Sequence, residues 1–203
     1  GSHASYYPGS QQISLKLVYG LDGRVFGAQA IGIDGADKRI DVIATAIKAG
    51  MTVDDLADLE LAYAPPFGSA KDPVNVAGYV ASNVLDGSHD IIGWSELRDI
   101  LRDAPDTIEL IDVRTPEEYA IASLPGARNI ELNQLRKRLG EIGRGKPVVV
   151  FCQVGLRGYV AYRILKQSGF DDVTNLTGGF KTYAWATEKQ SNPDLFDYEN
   201  IRQ

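Results

Sequence analysis

The sequence predicts an α/β fold in its second half and a small α+β unit in its first half. In the second half, short apolar runs rich in β-branched residues alternate with stretches of helical periodicity. This alternation is typical of a parallel sheet with helices on both faces. In the first half, two alternating stretches flank a glycine-containing turn, which predicts an antiparallel hairpin. At 203 residues the chain has room for two such units.

Composition excludes several classes of function. The chain has 21 basic and 27 acidic residues, a net charge of −6, and no basic stripe of the kind that binds nucleic acid. It contains no run of about 18 apolar residues and no signal-peptide pattern, so neither a membrane span nor secretion is expected. One cysteine cannot form an internal disulfide and favours a reducing compartment, from which we expect a cytoplasmic location.

The first half is predicted to be a hairpin followed by helices. Strands are expected at residues 13–19 and 24–31, with a third at 59–63. Helices are expected at residues 37–49, just after Thr52, and at 73–84, with Thr52 and Asp72 as N-caps.

No catalytic group stands out in this half. Gly1 and Ser2, alone or with His3, are typical of a remnant of an expression vector, and the first two are set aside. His3 and His89 are expected at the surface because neither has a partner in the pattern. The sequence shows no metal-ligand cluster and no dinucleotide-binding glycine pattern.

A polar break at residues 85–89 separates the two halves. Beyond it, strands are predicted at residues 108–113, 148–151 and 173–176. Helices are predicted at residues 94–101 with Ser95 as cap, from Pro116 with Thr115 as cap, at 133–141, at 159–165, and from Gly178-Gly179. Sites in such sheets lie at the carboxyl ends of the strands, and Cys152 directly follows the strand at 148–151.

Cys152 is the candidate nucleophile. The residues that follow it form a short loop before a helix: Gln153, Val154, Gly155, Leu156, Arg157 and Gly158. Backbone N–H groups and the positive end of a helix dipole gathered there favour a thiolate, and Arg157 can hold an anionic sulfur species. The alternative is an inert buried cysteine, which is the usual state of a lone one. The glycines and the arginine favour the nucleophile.

The Cys-x-x-Gly-x-Arg loop resembles the active site of the rhodanese family. Residues 110–119 (LIDVRTPEEY), 124–130 (LPGARNI) and 176–180 (LTGGF) with Trp185 resemble the other family motifs in the same order. The resemblance implies a rhodanese domain at residues 89–190, followed by a tail at 191–203. It also implies that Cys152 forms a persulfide from a small anionic sulfur donor and passes the sulfur to a thiol acceptor. Gly158 departs from the Ser or Thr that is usual in the family.

Residues 3–9 (HASYYPG), 35–42 (GADKRIDV) and 63–67 (YAPPF) resemble the C-terminal dimerisation domain of coenzyme A-disulfide reductases. These are flavoproteins of the pyridine nucleotide-disulfide oxidoreductase family, and some end in a rhodanese domain. The resemblance implies an incomplete dimerisation domain at residues 3–86 of a C-terminal fragment. The parent enzyme is then expected to be a homodimer that uses FAD, NAD(P)H and coenzyme A, none of which is expected on the fragment itself.

The resemblance also implies a role for three tyrosines. Tyr6 and Tyr63, with Tyr7 as the alternative to Tyr6, match residues that reach the partner's active-site disulfide in the parent family. In the other interpretation Tyr63 packs beside a proline turn and Tyr6 and Tyr7 belong to a loose terminus. For the isolated chain the second interpretation is favoured.

Charged residues near the loop admit two interpretations. Asp112 and Arg114 either position the loop or substrate directly, or Asp112 pairs with an arginine and holds the loop indirectly; the second is favoured. A basic set either attracts anionic donors or forms a solvated face, and the solvated face is favoured. The set comprises Arg128, Arg136, Lys137, Arg138, Arg144 and Lys146.

Other functions compete with sulfur transfer. Cysteine phosphatases also cradle an anion in a Cys-to-Arg loop, but with five intervening residues, whereas Cys152 and Arg157 have four. The shorter loop suits a sulfur atom better than a tetrahedral phosphate. A non-catalytic dimerisation and persulfide-relay module, and a domain that senses oxidants through Cys152, remain as alternatives.

Overall fold

The computed structural model of the chain describes residues 1–191. The backbone divides into two compact units between Ser88 and His89, and each unit is described by itself. The tail predicted at residues 191–203 lies outside the described residues, apart from the backbone of Ser191. None of the helices within residues 1–191 combines the length and the apolar character needed to cross a bilayer.

The first unit contains an antiparallel hairpin and helices. Its elements are β1 (Ile13–Tyr19), β2 (Val25–Gly32), α1 (Ala36–Ala49), α2 (Val53–Asp58) and α3 (Pro73–Leu85). β1 and β2 pair antiparallel, as the alternation of residue types predicts, with a register shift at the end of β1. The inward residues of the hairpin pack with side chains of the helices, including Ile43, Leu56 and Val74, which are almost fully buried.

Side-chain caps fix the starts of two of these helices. Thr52 accepts a hydrogen bond from the Asp55 N–H and forms a capping box at the start of α2, and Asp72 does the same with Asn75 at the start of α3. α1 ends at Gly50, whose φ of 74° is the left-handed conformation in which glycine has no steric cost. These boundaries confirm the helix starts predicted from Thr52 and Asp72 and the predicted end of the first helix at residue 49.

The strand predicted at residues 59–63 is wrong. The segment is irregular, and the buried side chain of Asn75 accounts for its path. The Asn75 amide donates hydrogen bonds to the carbonyl groups of Leu56, Ala57 and Leu59, so it binds the chain where α2 ends. Backbone groups satisfied in this way do not need a neighbouring strand.

The first residues belong to the fold, which corrects the decision to set Ser2 aside. The Ser2 N–H donates to the Gln11 carbonyl at 2.7 Å, and the Ser2 carbonyl accepts from Arg39 at 2.6 Å. Arg39 in turn forms a buried ion pair with Asp72. His3 is also buried, so the prediction that it lies at the surface is wrong.

The second unit is a parallel α/β fold, as predicted. Its strands are β3 (Ile91–Ile92), β4 (Glu109–Asp112), β5 (Arg128–Asn129), β6 (Val148–Phe151) and β7 (Val173–Leu176). Its helices are α4 (Trp94–Asp103), α5 (Pro116–Ile121), α6 (Leu132–Leu135), α7 (Leu156–Gln167) and α8 (Gly179–Ser191). The strands form one sheet in the order β3-β7-β6-β4-β5, and every pair in it is parallel.

The central strand β6 shows why this sheet has helices on both faces. All four of its residues are buried, and they alternate between two hydrophobic clusters. Val148 and Val150 pack with residues of α6 and α7, whereas Val149 and Phe151 pack with residues of α4 and α8. Each such side chain contributes roughly 1.5–3 kcal/mol when it is fully buried. This packing places the end of β6, and therefore Cys152, in the middle of the sheet's carboxyl edge.

Two local predictions in this unit are wrong. Residues 133–141 do not form one amphipathic helix, because α6 ends at Leu135 and a separate 3-10 turn covers Leu139–Glu141. Gly140 has a low helix propensity, and the Arg138 side chain pairs with Glu141 across the turn. The N-cap of α4 is Gly93 and not Ser95, and it provides no side-chain hydrogen bond. Thr115 does cap α5, in a capping box with Glu118.

Candidate functional site around Cys152

The candidate site is the Cys152 loop, residues 152–158, between β6 and α7. Gly155 has φ 131° and ψ −35°, a conformation that residues with a side chain rarely adopt. This conformation lets the chain turn back, so that the Gly155 N–H donates a hydrogen bond to Sγ of Cys152 at 3.1 Å. One of the two glycines in the loop therefore contacts the sulfur through its backbone.

The loop also delivers the N-terminus of α7 to the same point. The first N–H groups of a helix, here those of Leu156, Arg157 and Gly158, have no acceptor within the helix. They carry the positive end of the helix dipole, which stabilises an anion placed near it. Cys152 is a free thiol and is only 1 % exposed. The arrangement can hold a negative charge on sulfur with little access for bulk water.

The side chains of the loop point to different neighbours. Val154 and Leu156 are exposed at 46 % and 72 %, which makes the outer rim of the loop apolar. The side-chain oxygen of Gln153 accepts a hydrogen bond from Arg114 at 3.1 Å. Gly158 is buried against Asn175.

Arg157 has a partner that the sequence did not predict. Its guanidinium pairs with the carboxylate of Glu118 on α5, and about a third of each side chain is exposed. The hydrogen bonds from Arg157 lower the pKa of Glu118 from 4.5 to about 2, helped by the Thr115 N–H. Glu118 likewise raises the pKa of the Arg157 guanidinium, and Cys152 contributes in the same direction. The Thr-x-x-Glu pattern at residues 115–118 indicated a helix cap but gave no sign of the pairing with Arg157.

Asp112 and Arg114 form a buried ion pair at 2.7 Å, as the favoured interpretation expects. Asp112 is the last residue of β4, where it lies opposite Phe151 of β6, and Arg114 follows the strand. The Arg114 guanidinium also donates to the carbonyl group of Ala122 and lies 4.2 Å from the ring centre of Phe180. Arg114 contacts the loop through Gln153, so the pair supports the loop. Within residues 1–191, neither Asp112 nor Arg114 forms a hydrogen bond with Sγ of Cys152.

The start of α8 holds the other side of the loop. The Phe180 N–H donates to the Cys152 carbonyl at 2.8 Å, and the Lys181 N–H donates to the Gln153 carbonyl at 3.1 Å. Gly179 lies so close that a Cβ there would overlap the Cys152 carbonyl oxygen and come within 2.8 Å of the Gln153 carbonyl carbon. The sequence identified Gly179 only as the start of a helix. Its contact with the loop depends on how β7 places α8.

His89 is buried, which corrects the prediction that it lies at the surface. Its Nε2 atom lies 3.1 Å from Nδ2 of Asn175, and its ring makes edge contacts with Tyr159 and Tyr162. Burial lowers the pKa of His89 below 6.5, against the opposing effect of Asp90. The ring is therefore neutral at pH 7.

The basic set behaves mainly as a solvated face. Arg128 pairs with Glu109, and Arg138 pairs with Glu141. Arg144 donates to the carbonyl groups of Ser168 and Gly169. Arg144 and Lys146 precede β6, so they lie toward the opposite end of that strand from Cys152.

In the first unit, the structure brings together two of the three tyrosines. The hydroxyl groups of Tyr6 and Tyr63 are 2.7 Å apart, and both side chains are at least half exposed. This hydrogen bond raises the pKa of Tyr6. Tyr7 lies outside the pair and makes an edge contact with the ring of His3. The Ala4 N–H donates to the Gly68 carbonyl, so the segment before Tyr6 is held in place.

Family models match both units. The model for the pyridine nucleotide-disulphide oxidoreductase dimerisation domain matches residues 2–73, and the model for rhodanese-like domains matches residues 94–186. The first match includes Ser2, in agreement with its place in the fold.

Curated proteins and solved structures give the same assignment. A coenzyme A disulfide reductase of Staphylococcus aureus is 46 % identical over 82 residues, which are 40 % of this chain and 19 % of that protein. The reduced CoADR-RHD of Bacillus anthracis is 49 % identical with a TM-score of 0.88, over 93 % of this chain and 33 % of that one. An NAD-dependent persulfide reductase from A. fulgidus is 44 % identical with a TM-score of 0.80, over 90 % of this chain and 32 % of that one.

The chain thus spans about a fifth of the curated relatives and about a third of the two solved structures. Over at least 90 % of this chain, both solved structures have the same fold and a sequence identity of 44 % or more. The chain carries a pyridine nucleotide-disulphide oxidoreductase dimerisation domain followed by a rhodanese-like domain, and it is homologous to coenzyme A disulfide reductases.

Proposed function

We propose that the rhodanese domain is a sulfurtransferase that carries sulfane sulfur as a persulfide on Cys152. The observation that carries this proposal is the hydrogen bond from the Gly155 N–H to Sγ of Cys152 at the start of α7. A backbone donor and a helix N-terminus at one sulfur favour both the thiolate and the anionic terminal sulfur of a persulfide.

The first step forms the persulfide. The Cys152 thiolate attacks the sulfane sulfur of a donor such as thiosulfate, and the new S–S bond forms as the donor's S–S bond breaks. Sulfite leaves with the bonding electron pair, and the enzyme retains one extra sulfur atom with its negative charge. The Gly155 N–H and the first turn of α7 are placed to stabilise that charge.

The second step returns the enzyme to its starting state. An acceptor thiolate attacks the terminal sulfur, the S–S bond of the Cys152 persulfide breaks, and the Cys152 thiolate leaves. The product is the persulfide of the acceptor. This step needs no histidine as a general base if the acceptor is already ionised, and the buried His89 contacts Asn175 rather than Cys152.

We further propose that the longer protein is a homodimeric, cytoplasmic reductase that uses FAD and NAD(P)H with a coenzyme A disulfide or persulfide substrate. The dimerisation domain and the names of the relatives support this. The described residues offer no glycine-rich loop for a flavin or a nicotinamide. The glycines that follow β6 and β7 form the Cys152 loop and the start of α8 instead. No step above depends on either group.

A non-catalytic persulfide relay is the second candidate, favoured by the low exposure of Cys152 and by the names of the relatives. The test is a steady-state assay of the 203-residue chain with thiosulfate and a thiol acceptor, alongside Cys152→Ser. Sulfurtransferase activity predicts many turnovers that disappear in the serine variant. A single turnover per chain favours the relay, and no sulfur uptake from thiosulfate, polysulfide or a persulfide refutes both.

A further inference from the structure

Asn175 is a buried polar residue in the middle of the sheet. It lies on β7 between β6 and β3, opposite Val150 and Ile91, and is only 2 % exposed. A polar side chain in such a position is costly unless its hydrogen bonds serve the structure. Those of Asn175 come from its amide nitrogen, which contacts the Cys152 loop and His89.

Nδ2 of Asn175 lies 3.4 Å from the carbonyl oxygen of Gly155 and 3.1 Å from Nε2 of His89. The N–H of the same glycine donates to Sγ of Cys152. Asn175 is therefore one residue removed from the sulfur, and it holds the residue whose N–H contacts that sulfur. Gly155 has no side chain that could fix the orientation of this part of the loop, and its backbone has the conformational freedom of glycine.

Gly158 leaves the space that Asn175 occupies. A Cβ at residue 158 would overlap Oδ1 of Asn175 and lie 3.1 Å from its Cγ. Residue 158 therefore cannot carry a side chain while Asn175 keeps this position. Glycine at residue 158, in place of a Ser or Thr, therefore goes together with asparagine at residue 175.

His89 is the neighbour of the Asn175 amide nitrogen. An amide nitrogen donates hydrogen bonds, so Nε2 of His89 accepts in this arrangement, while Nδ1 of His89 is buried without a hydrogen-bond partner among the described residues. Tyr159 and Tyr162 contact the ring edge-on and limit its movement. Nδ2 of Asn175 faces Gly155, whereas Oδ1 faces Gly158 and has no hydrogen-bond partner among the described residues.

We infer that Asn175 is a positioning residue for sulfur chemistry at Cys152, acting through Gly155 and matched to the absence of a side chain at Gly158. The inference rests on the proposed function for the role of the thiolate. The geometry itself concerns only the hydrogen bond from the Gly155 N–H to Sγ of Cys152. Asn175 holds the Gly155 carbonyl group together with the Tyr159 N–H, which donates to it at 2.8 Å, and so limits how the N–H of the same residue can turn relative to the sulfur. Loss of Asn175 removes one of these two hydrogen bonds and lets that N–H turn away from the sulfur more easily.

The test measures the alkylation rate of Cys152 by iodoacetamide as a function of pH, in the full chain. Cys152 is the chain's one cysteine, so the rate reports on it alone. We expect Asn175→Ala to slow alkylation at pH 7 roughly five- to tenfold, as for the loss of one hydrogen bond to the charged form. The rate at the high-pH plateau should stay within about twofold of the original, since the thiolate itself is unchanged.

Three further variants separate positioning from stability. Val173 lies at the start of the same strand, opposite Val148 and away from the end of the strand that faces the loop. Val173→Ala removes buried core, so it should lower the melting temperature and leave the pH profile unchanged. Gly158→Ser should shift the profile because its side chain displaces Asn175. The double variant Gly158→Ser with Asn175→Ala should have a pH profile of alkylation closer to that of the original protein than the profile of Gly158→Ser. Asn175→Ser replaces Asn175→Ala if the latter does not fold.

An unshifted profile in a folded Asn175 variant overturns the inference, and so does a double variant in which the two defects simply add. Alkylation requires no sulfur donor. A chain that takes up no sulfur but shows these shifts therefore refutes the proposed function and leaves the positioning role of Asn175 standing.

Discussion

Arg157 and Glu118 form a two-point ion pair at the rim of the Cys152 loop, from Nη1 to Oε2 at 2.6 Å and from Nη2 to Oε1 at 2.7 Å. The two side chains come from α7 and α5, 39 positions apart in sequence. Because the pKa of Glu118 is about 2, the carboxylate stays charged under all ordinary conditions. The pair therefore cancels the positive charge that an arginine alone would present to an anionic donor.

Removal of this carboxylate should favour dianionic donors. We expect Glu118→Gln to raise kcat/KM for thiosulfate about three- to tenfold at low salt, because the rim then carries a net positive charge. The gain should shrink at high ionic strength, where exposed charges are screened. Steady-state assays at two salt concentrations measure both effects.

Glu117→Gln is the matched control for this prediction. Glu117 is also an acidic residue in the first turn of α5, but it forms no ion pair with Arg157. Glu117→Gln should change kcat/KM for thiosulfate much less than Glu118→Gln does. Equal effects of the two variants, or a fall in rate for Glu118→Gln, would show that the pairing with Arg157 does not set the charge of the rim.

Gly179→Ala should disturb the Cys152 loop more than its backbone strain alone explains. At φ 60° an alanine costs roughly 1–2 kcal/mol, and its Cβ would also overlap the Cys152 carbonyl oxygen. We expect a loss of stability above 2 kcal/mol together with slower alkylation of Cys152. Urea unfolding and the alkylation assay give the two values.

Gly126→Ala provides the comparison. Gly126 has φ 77° and nothing within 4 Å of an added Cβ, so it should show the strain cost without the effect on Cys152. Similar alkylation rates in both alanine variants would mean that the start of α8 does not hold the loop.

The rhodanese domain should lose stability as the pH falls below 6.5. Burial lowers the pKa of His89, so the unfolded chain binds a proton at a higher pH than the folded chain does. Stability from the neutral ring is therefore present above 6.5 and is lost as the pH falls toward the lowered pKa. Urea unfolding at pH 7.5 and 5.5 measures the difference.

His89→Gln removes the titrating group but keeps a polar side chain next to Asn175. Its stability should change less between these two pH values than that of the original protein. If both proteins lose the same amount, the neutral state of His89 does not account for the pH dependence.

The 203-residue chain should form a homodimer through its first unit. Val18, Phe26 and Ile31 are exposed apolar side chains on the hairpin strands, as expected for a dimerisation domain. We expect Ile31→Glu to give monomers in sedimentation or light-scattering measurements. Ile121→Glu, at an even more exposed isoleucine of the other unit, should remain a dimer. A monomeric original chain at micromolar concentration would exclude this interface in the isolated chain.

Local chemistry made much of the fold predictable. Four buried β-branched or aromatic residues in a row predicted β6, and Thr52, Asp72 and Thr115 marked helix starts because each cap is satisfied within three residues. The wrong predictions arose where distant residues decide. Residues 59–63 resemble a strand, but Asn75 binds the carbonyl group of Leu59 at the start of the segment. The helix expected at residues 133–141 ends at Leu135, before a separate 3-10 turn.

In the candidate site, too, the features set by neighbouring residues were predictable and those set by distant residues were not. Cys152, its glycines and the arginine are contiguous, so their chemistry could be inferred from the sequence. The supporting residues could not, because Glu118 reaches Arg157 across 39 positions and His89 reaches Asn175 across 86. Only the folded sheet brings such pairs together, and no periodicity encodes them.

The most direct test of the persulfide is the intact mass of the chain after exposure to a sulfane donor. The original protein should gain the mass of one sulfur atom, and cyanide should remove it. Cys152→Ser, which differs by a single atom, should gain nothing. An unchanged mass in a folded original sample, or an equal gain in the serine variant, would be incompatible with a persulfide on Cys152.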